Sequence, residues 1–565
     1  MKKKIINRLG LFALVTVAGA LTACGGSNGG SNSTITTVNI LVFNGTGGKD
    51  WIVNATKRFS EANKETSFQE GKKGINFKIR SAKGINFNTE MKSSGDDIFI
   101  YETYPDMYQL SAQKYLLDIS DVVTPLESKI EPDLLERMKG VDGKYYGLPH
   151  YEWFPGISYD KDLFEQNNYY FADPNADNED KDLYSSKYGD AYFVAGKDVK
   201  KSVGPNGIAG DYDDGLPSSL EEFNILCDKM VSDSVSPLIL CGGGQYYSWY
   251  FPMALWASLT GGDGMRDIYC NWTDAELDVV TGWSTEDAFY KGSGIKKPST
   301  AKKSLNDDSG YQMYDMATRY YSLAYFEMAL ENKWIDADQL SNPNGSSTEA
   351  MNWFINGNKG KRYGMLWDGS YWCHEAADVG TFDFYAQRNP EAPDRHTAFM
   401  PLPTQLTGQV KEGKGKKPTL LNVGSTLTFA NGRVAKNGKI TAVKEFLKFI
   451  YSDNELANFS ELTGLTVPMD YSYNMSGLNN SYYSDLATYR ADADVIQCAS
   501  ASPRFKKNLT SFIISYTMTL NNFTAADGTA VSGGYLNAFR YQGCDSKYIF
   551  ETTRLSKENW DKMSK

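Results

Sequence analysis

A strand–helix–strand segment at residues 37–80 limits the fold of this chain more than any other feature. Residues 37–43 alternate β-branched and apolar side chains as a buried strand does, and residues 76–80 form a second such run. Between them, residues 50–63 carry apolar side chains at helical spacing. Because two strands joined by a helix pair in parallel through a right-handed crossover, the sequence predicts an α/β sheet.

Further segments extend this pattern along the chain. Residues 97–101 form another apolar strand and residues 106–113 a short helix. Longer helical periodicity recurs in residues 216–233, 311–334 and 441–453. Residues 167–214 are acidic, glycine-rich and dotted with tyrosine, which predicts a surface insertion. A chain of 565 residues exceeds one small core, so we expect two lobes.

The first 24 residues predict export from the cell. A basic start, a short apolar run and small residues precede Cys24, as in a signal peptide. Residues 21–24 (Leu-Thr-Ala-Cys) resemble a bacterial lipobox, which implies that Cys24 is lipidated and begins the mature chain. An ordinary secretory signal with an incidental Cys24 is the alternative. The Gly/Ser/Asn-rich residues that follow are typical of a flexible tether, so we expect anchoring at the extracellular face of the cell membrane.

Charge and cysteine content exclude several classes of function. The net charge of −11 argues against nucleic acid and against electrostatic adhesion to anionic lipid, since both require basic surfaces. The six cysteines beyond Cys24 include no C-x-x-C pair, which argues against zinc and leaves disulfide pairing open. No P-loop, H-E-x-x-H or G-x-S-x-G motif is complete, so we assign no catalytic residue.

Aromatic residues are unusually abundant. The chain has 37 Tyr, 28 Phe and 11 Trp but only 3 His. Tyr and Trp combine a flat apolar face with a polar edge, which suits sugars, because a sugar ring has C–H groups on its face and hydroxyls around its rim. Filling a large core is the alternative role, and it accounts for most of these residues.

Five groups of segments, in this order, are similar to the extracellular solute-binding proteins of carbohydrate ABC transporters, the maltose-binding-protein-like family. They are residues 43–51; 97–118; 143–149 with 156–164; 213–223; and 401–403 with 442–452 and 463–468. The resemblance implies a receptor and not an enzyme: two α/β lobes joined by a hinge, with a sugar or oligosaccharide in the cleft between them. It also implies delivery to ABC permease subunits, and we expect a monomer without a cofactor.

The resemblance further implies a division of the chain. We expect a signal peptide at 1–23, a tether at 24–35, a first lobe at 36–150 plus about 383–435, a second lobe at 151–382 with the insertion 167–214, and a C-terminal helical region at 436–565 shared between the lobes.

Candidate ligand-binding residues follow predicted strands, because ligands of open α/β sheets bind at the carboxyl ends of strands. In chain order they are Asn44, Glu102, Tyr104, Tyr151, Glu152, Trp153, Tyr246, Tyr247, Trp249, Trp367, Asp368, Tyr371, Trp372 and Asn422. Of the adjacent pair Tyr371 and Trp372, we expect one to face the ligand and one the core, and we favour Tyr371 for the ligand. Turn capping and core packing are the alternatives.

Three other interpretations stay open. A secreted carbohydrate-active enzyme would need two carboxylates across a glycosidic bond, and Glu102 with Glu152 is the candidate pair. A surface adhesin for glycans is a weaker reading. Oxygen side chains at Asp173, Asn175, Asp177 and Glu179 begin like a calcium loop, which long members of the family can carry. That loop lacks the glycine and the final glutamate of the motif, so a solvated acidic loop is the alternative.

Overall fold

The structure is a computed structural model. It describes residues 34–43, 47–82, 84–102, 107–240, 247–270, 272–336, 346–423, 426–478, 481–498, 523–531 and 534–562. Strands in these ranges are numbered in chain order: β1 (Thr36–Phe43), β2 (Ile75–Ala82), β3 (Ile98–Glu102), β4 (Gly147–Pro149), β5 (Pro155–Asp160), β6 (Lys181–Ser186), β7 (Gly189–Val194), β8 (Ser236–Leu240), β9 (Leu277–Asp287), β10 (Lys296–Lys303), β11 (Tyr363–Gly369), β12 (Thr397–Phe399), β13 (Thr419–Asn422), β14 (Thr426–Ala430), β15 (Asp494–Gln497), β16 (Phe523–Thr524) and β17 (Ala530–Val531).

Helices lie between these strands and continue after them. The α-helices are Asp50–Ala62, Phe87–Ser93, Met107–Ala112, Ser120–Val123, Pro132–Met138, Lys161–Gln166, Leu220–Ser232, Tyr250–Thr260, Gly262–Ile268, Ala317–Glu331, Ser347–Asn356, Trp372–Asp378, Thr381–Arg388, Ile440–Ile450, Asp453–Thr463, Tyr482–Asp492, Gly534–Ala538, Ser546–Thr552 and Lys557–Lys562. Short 3₁₀ turns are Thr124–Lys129, Asn178–Asp180, Gly310–Asp315 and Gly432–Ala435.

Two mixed sheets form the centres of two lobes. The first has the order β2-β1-β3-β14-β4, in which β1 pairs in parallel with β2 and β3 while β14 is antiparallel to β3 and β4. The second has the order β12-β5-β11-β8, with β11 parallel to β8 and β5 antiparallel to β11 and β12. The predicted α/β fold, with its parallel β1–β2 pair, is confirmed.

The first helix illustrates how periodicity builds the first lobe. Helix Asp50–Ala62 buries one face, which carries Trp51, Ile52, Ala55 and Phe59. This face packs toward β2 and toward the later helices Ile440–Ile450 and Asp453–Thr463. The buried apolar stripe at helical spacing is therefore what joins the start of the chain to its C-terminal third.

The chain passes between the two sheets through segments that run side by side. Residues 150–154 lead from β4 to β5, and β13 lies on the return path from β12 to β14. The segments are hydrogen-bonded, because the Val423 amide donates to the Trp153 carbonyl at 3.3 Å and the His150 amide donates to the Thr426 carbonyl at 2.9 Å. We call residues 150–154 and 419–423 the crossover. The range 383–435 contributes a strand to each sheet, β12 to the second and β14 to the first.

The predicted surface insertion is only partly exposed to solvent. Leu183 and Tyr192 on the β6–β7 hairpin are exposed, but Tyr169, Phe171 and Phe193 are buried. The hairpin packs against helix Leu220–Ser232, so one of its faces belongs to the core of the second lobe. The composition of this segment does not show its buried face, because acidic and glycine residues outnumber the buried aromatics.

The five cysteines in the described residues are all buried, and four of them are free thiols: Cys227, Cys373, Cys498 and Cys544. Burial raises the pKa of Cys227, Cys373 and Cys498 to about 12, so these thiols are inert at neutral pH.

Candidate ligand-binding site

Aromatic side chains from three separate segments meet beside the crossover. Trp153 precedes β5, Tyr250 begins helix Tyr250–Thr260, and Tyr371 follows β11. The Trp153 ring centroid lies 5.1 Å from that of Tyr250 and 5.2 Å from that of Tyr371. Tyr247 and Trp249 border Tyr250 at centroid distances of 5.0 Å and 4.4 Å. We call these five residues the aromatic cluster.

The topology of the second sheet brings the cluster together. Because β8 and β11 are parallel, their carboxyl ends reach the same edge of the sheet. Strand β5 is antiparallel to β11 and begins at that edge, where Pro155 lies opposite Gly369. Residues that precede β5 or follow β8 and β11 therefore converge, at the position where α/β sheets bind ligands.

The cluster combines flat apolar faces with neutral hydroxyl groups. Trp153, Tyr250 and Tyr371 are each less than a tenth exposed, whereas Tyr247 and Trp249 are half-buried. Burial, reinforced by the nearby Tyr250, raises the pKa of Tyr371 well above its usual value, so this phenol stays protonated. Such a surface suits an uncharged ligand that has C–H faces and hydroxyl groups.

Four predicted site residues belong to this cluster: Trp153, Tyr247, Trp249 and Tyr371. Tyr250 was not predicted. Its position three residues after Tyr247 could have indicated it, since residues at this spacing share one face of a helical turn.

Trp367, Asp368 and Trp372 lie in the interior and show no exposed face. The Trp367 indole donates to the Tyr247 carbonyl at 3.0 Å, which holds the turn that carries the cluster. The Trp372 indole donates to the Ser158 hydroxyl at 2.7 Å. The Asp368 carboxylate accepts from the Gly369 amide at 2.6 Å. Of the adjacent pair, Tyr371 therefore joins the cluster, while Trp372, the first residue of helix Trp372–Asp378, packs into the core.

Glu152 is engaged inside the protein. Its carboxylate accepts from Arg490 Nε at 2.5 Å and from the Thr466 hydroxyl at 2.7 Å, and the residue is 2% exposed. The same contact raises the pKa of Arg490, chiefly through the charge of Glu152. Glu152 therefore ties the crossover to helix Tyr482–Asp492, and both of its oxygens accept hydrogen bonds from within the protein.

Asn422 holds the backbone of Trp153, a residue of the aromatic cluster. Its side-chain amide donates to Gln497 Oε1 at 2.8 Å, and its Oδ1 accepts from the Trp153 amide at 3.4 Å. Asn422 is 2% exposed, so it positions Trp153. Tyr151 is also buried, with its ring edge-on to that of His150.

The remaining predicted residues lie outside the described residues or at the end of a described range. Asn44, Tyr104 and Tyr246 lie outside the described residues, as does the predicted lipidation site Cys24. Glu102 ends β3, where its backbone pairs with Thr426. The first lobe's share of the predicted site thus stays a prediction.

The acidic residues 173–179 do not converge in the described structure. One Asp173 oxygen accepts from the Asn175 amide at 2.8 Å and the other pairs with Lys200 at 2.5 Å. Asn175, Asp177 and Glu179 are exposed. A different acidic group forms later in the same insertion, where Asp211, Asp213 and Asp214 come together.

A separate cavity of about 760 Å³ lies on the second lobe. It opens between the β9–β10 hairpin and helix Leu220–Ser232, with Tyr188, Asn224 and Phe289 in its wall. None of the predicted ligand-binding residues lines it.

Comparison with solved structures identifies the fold. A chitin oligosaccharide binding protein is similar with a TM-score of 0.50 at 14% identity, over 82% of this chain and 88% of that chain. The apo form of RafE from Streptococcus pneumoniae is similar with a TM-score of 0.50 at 11% identity, over 94% and 99%. RafE in complex with raffinose gives 0.48 at 10% identity, over 94% and 100%. No protein-family model and no curated protein matches the sequence.

These likenesses confirm the expected two-lobe fold of solute-binding proteins. Among the helices of the described residues, none has the length and apolar character needed to cross a membrane.

Proposed function

We propose that this protein is an extracellular receptor that binds a sugar or oligosaccharide between its two lobes and delivers it unchanged to an ABC permease. The aromatic cluster carries the proposal. It lies beside the crossover, at the strand-end edge of the second sheet, where closure of two lobes encloses a ligand.

The comparisons support the same class of ligand. A protein with this fold is named for binding chitin oligosaccharides, which are neutral polyhydroxylated chains. The cluster matches that chemistry, because its hydrogen-bonding groups are phenols and indoles and because the nearby Glu152 is neutralised by Arg490. A charged ligand would find no opposite charge among these five residues.

Contacts of this kind can supply the binding free energy that an import receptor needs. Contacts with aromatic rings contribute roughly 0.5–1.5 kcal/mol each beyond buried area. Several such contacts, together with hydrogen bonds, reach the roughly −8 kcal/mol that corresponds to micromolar affinity.

Titration calorimetry against neutral oligosaccharides, including chito-oligosaccharides and raffinose, tests the proposal. Trp249→Ala and Tyr247→Ala are suitable variants, because both side chains are half-buried and their loss leaves the core intact. We expect each to weaken binding at least tenfold, whereas the control Tyr192→Ala, on the exposed face of the β6–β7 hairpin, binds as the wild type does. Absence of heat with every sugar would reject a sugar receptor.

Lipid anchoring is a separate part of the proposal. It is supported by the lipobox-like residues that end at Cys24. Expression in a Gram-positive host should place the wild type in the membrane fraction and Cys24→Ser in the medium. Equal membrane retention of both would reject anchoring through Cys24.

The enzyme alternative receives no support from the crossover. Glycoside hydrolysis needs two available carboxylates, and Glu152 is held by Arg490 and Thr466. We therefore expect no release of reducing ends from oligosaccharides that the protein binds.

A further inference from the structure

The cavity of about 760 Å³ on the second lobe has the size of a small-molecule site, since such sites enclose roughly 300–1,000 Å³. Its wall comes from the turn between β6 and β7, from helices Leu220–Ser232 and Ala317–Glu331, from the end of the β9–β10 hairpin and from residues 406–407. None of the five residues of the aromatic cluster lines it. The cavity is therefore a separate place at which a ligand can bind.

Three half-buried aromatic side chains line the cavity: Phe289, Tyr290 and Tyr321. The ring centroids of Phe289 and Tyr321 are 6.0 Å apart, with an angle of 77° between the ring planes. The Tyr290 ring stands at 89° to that of the buried Tyr188, at a centroid distance of 5.2 Å. Because the three lining rings are only half-buried, flat apolar surface remains for a ligand.

The turn that carries two of these rings has a constrained backbone. Phe289 has a φ of 63°, in the left-handed region that bulky residues rarely adopt. The Ser293 hydroxyl donates to the Ala288 carbonyl at 2.7 Å, and the Gly292 amide donates to the Asp287 carboxylate at 2.9 Å, which fixes this conformation. Unfavourable backbone conformations of this kind cluster at ligand-binding positions.

The wall also contains hydrogen-bonding groups that the protein does not use. Among the described residues, Asn224 Oδ1 and the Tyr188 hydroxyl are buried and have no hydrogen-bond partner. The two residues are 1% and 4% exposed. A buried polar atom without a partner is unfavourable, and such atoms are rare in native proteins. A ligand with hydroxyl groups can supply the missing partners.

The charged side chains around the cavity already have partners or balance one another. Glu286 pairs with Lys297 at 3.0 Å, and Asp287 pairs with Lys296 at 3.2 Å. Glu221 accepts from a backbone amide at 2.9 Å. The lining as a whole has three carboxylates and two ammonium groups. This excess of negative charge disfavours an anion, and a cation would have to compete for engaged carboxylates, so the wall suits a neutral ligand.

We propose that this cavity is a second binding site of the protein and that it takes a neutral sugar. An apolar ligand would cover the rings but leave the polar atoms without partners. A sugar satisfies both, because its C–H face contacts aromatic rings and its hydroxyl groups donate and accept hydrogen bonds. Every wall segment belongs to the second lobe, so binding here does not require closure of the two lobes.

Titration calorimetry with raffinose and with chitotriose tests the proposal on the full mature chain. We expect the wild type to bind two equivalents of sugar. Tyr290→Ala removes a half-buried ring outside the aromatic cluster, so it should weaken one of the two sites at least tenfold and leave the other unchanged. Trp249→Ala should have the complementary effect, and the exposed Tyr192→Ala should change neither site.

Asn224→Leu separates a ligand contact from a structural role. Leucine is similar in size and removes the unpartnered oxygen, so we expect the Tm of the sugar-free protein to stay the same or rise. Binding at the cavity should nevertheless weaken at least tenfold. A lower Tm with unchanged binding of two equivalents would overturn the proposed role of Asn224.

The same titrations distinguish this site from the one beside the crossover. A single site that is lost in Trp249→Ala and unchanged in Tyr290→Ala would overturn the second site and leave the proposed function standing. Binding that is lost in Tyr290→Ala and retained in Trp249→Ala would support the cavity and reject the aromatic cluster as the receptor site. Absence of heat with both sugars would overturn the second site as well as the receptor.

Discussion

The phenolic oxygens of Tyr250 and Tyr371 lie 3.4 Å apart, although the two residues are 121 positions apart in the chain. One begins a helix and the other follows a strand of the second sheet. Their contact joins two strand-end segments into one aromatic surface beside the crossover.

Truncation of Tyr371 should affect both stability and binding. Tyr371→Ala removes a buried ring that contacts Trp153, and we expect a loss of roughly 3–5 kcal/mol in the free energy of unfolding. Tyr371→Phe retains the ring and loses only the hydroxyl contact, so about 1 kcal/mol is expected. Urea denaturation measures both. Equal losses in the two variants would mean that the ring packing contributes nothing.

The ion pair between Glu152 and Arg490 should be a strong structural contact. Arg490→Met leaves the buried Glu152 carboxylate without its cation, and we expect a destabilisation of roughly 3–5 kcal/mol. Adding Glu152→Gln should recover most of that loss. The control is Lys297→Met, which breaks a pair with Glu286 in which the two side chains are 50% and 69% exposed, and it should cost about 1 kcal/mol or less. Similar losses from both substitutions would contradict the assigned burial effect.

His150 should make stability depend on pH. It packs between Trp51 and Phe459, and burial lowers its pKa to about 3. Below its unfolded pKa of about 6.5, the unfolded chain binds a proton that the native state does not bind. Stability due to this group is therefore complete above pH 6.5 and decreases by about 1.4 kcal/mol per unit as pH falls toward 3.

The measurement is the free energy of unfolding at pH 7, 6 and 5, a range in which most carboxylates stay ionised. His150→Phe keeps the aromatic packing and should remove this contribution to the slope. A wild-type slope retained in the variant would show that other groups cause it.

Loss of Asn422 should displace Trp153. Asn422→Ala removes the acceptor for the Trp153 amide and the donor to Gln497, so we expect about 1–3 kcal/mol of destabilisation and weaker sugar binding. Asn178→Ala, an exposed asparagine on the insertion, serves as the control and should change stability by less than about 0.5 kcal/mol. Unchanged sugar affinity in Asn422→Ala would show that Asn422 does not contribute to the binding site.

Much of the secondary structure was predictable, because its segments follow simple periodicities. The predicted strand at 37–43 is observed at Thr36–Phe43, and the predicted helix at 50–63 at Asp50–Ala62. The helix predicted at 311–334 is observed as a 3₁₀ turn followed by helix Ala317–Glu331. Boundaries shift by a few residues because capping and end fraying are less regular than the apolar repeat.

The candidate site was less predictable. Strand ends indicated Trp153 and Tyr371, which the structure brings into contact, but the same rule also selected Trp367 and Glu152, which form other contacts in the interior. Residue type shows that a side chain suits a sugar. It does not show whether a distant residue already binds that side chain, as Arg490, 338 residues away in the chain, binds Glu152.

By itself the sequence determined the α/β character of the chain, because the periods of helices and strands are local properties of consecutive residues. Only the tertiary structure decided that Trp372 turns inward while Tyr371 joins Tyr250, and that Asp213 is buried beside Asp211 and Asp214. The physical reason is that the burial and the hydrogen-bond partners of a side chain depend on which distant segments meet at a sheet edge or loop. The order of the strands in the sheet determines which segments these are.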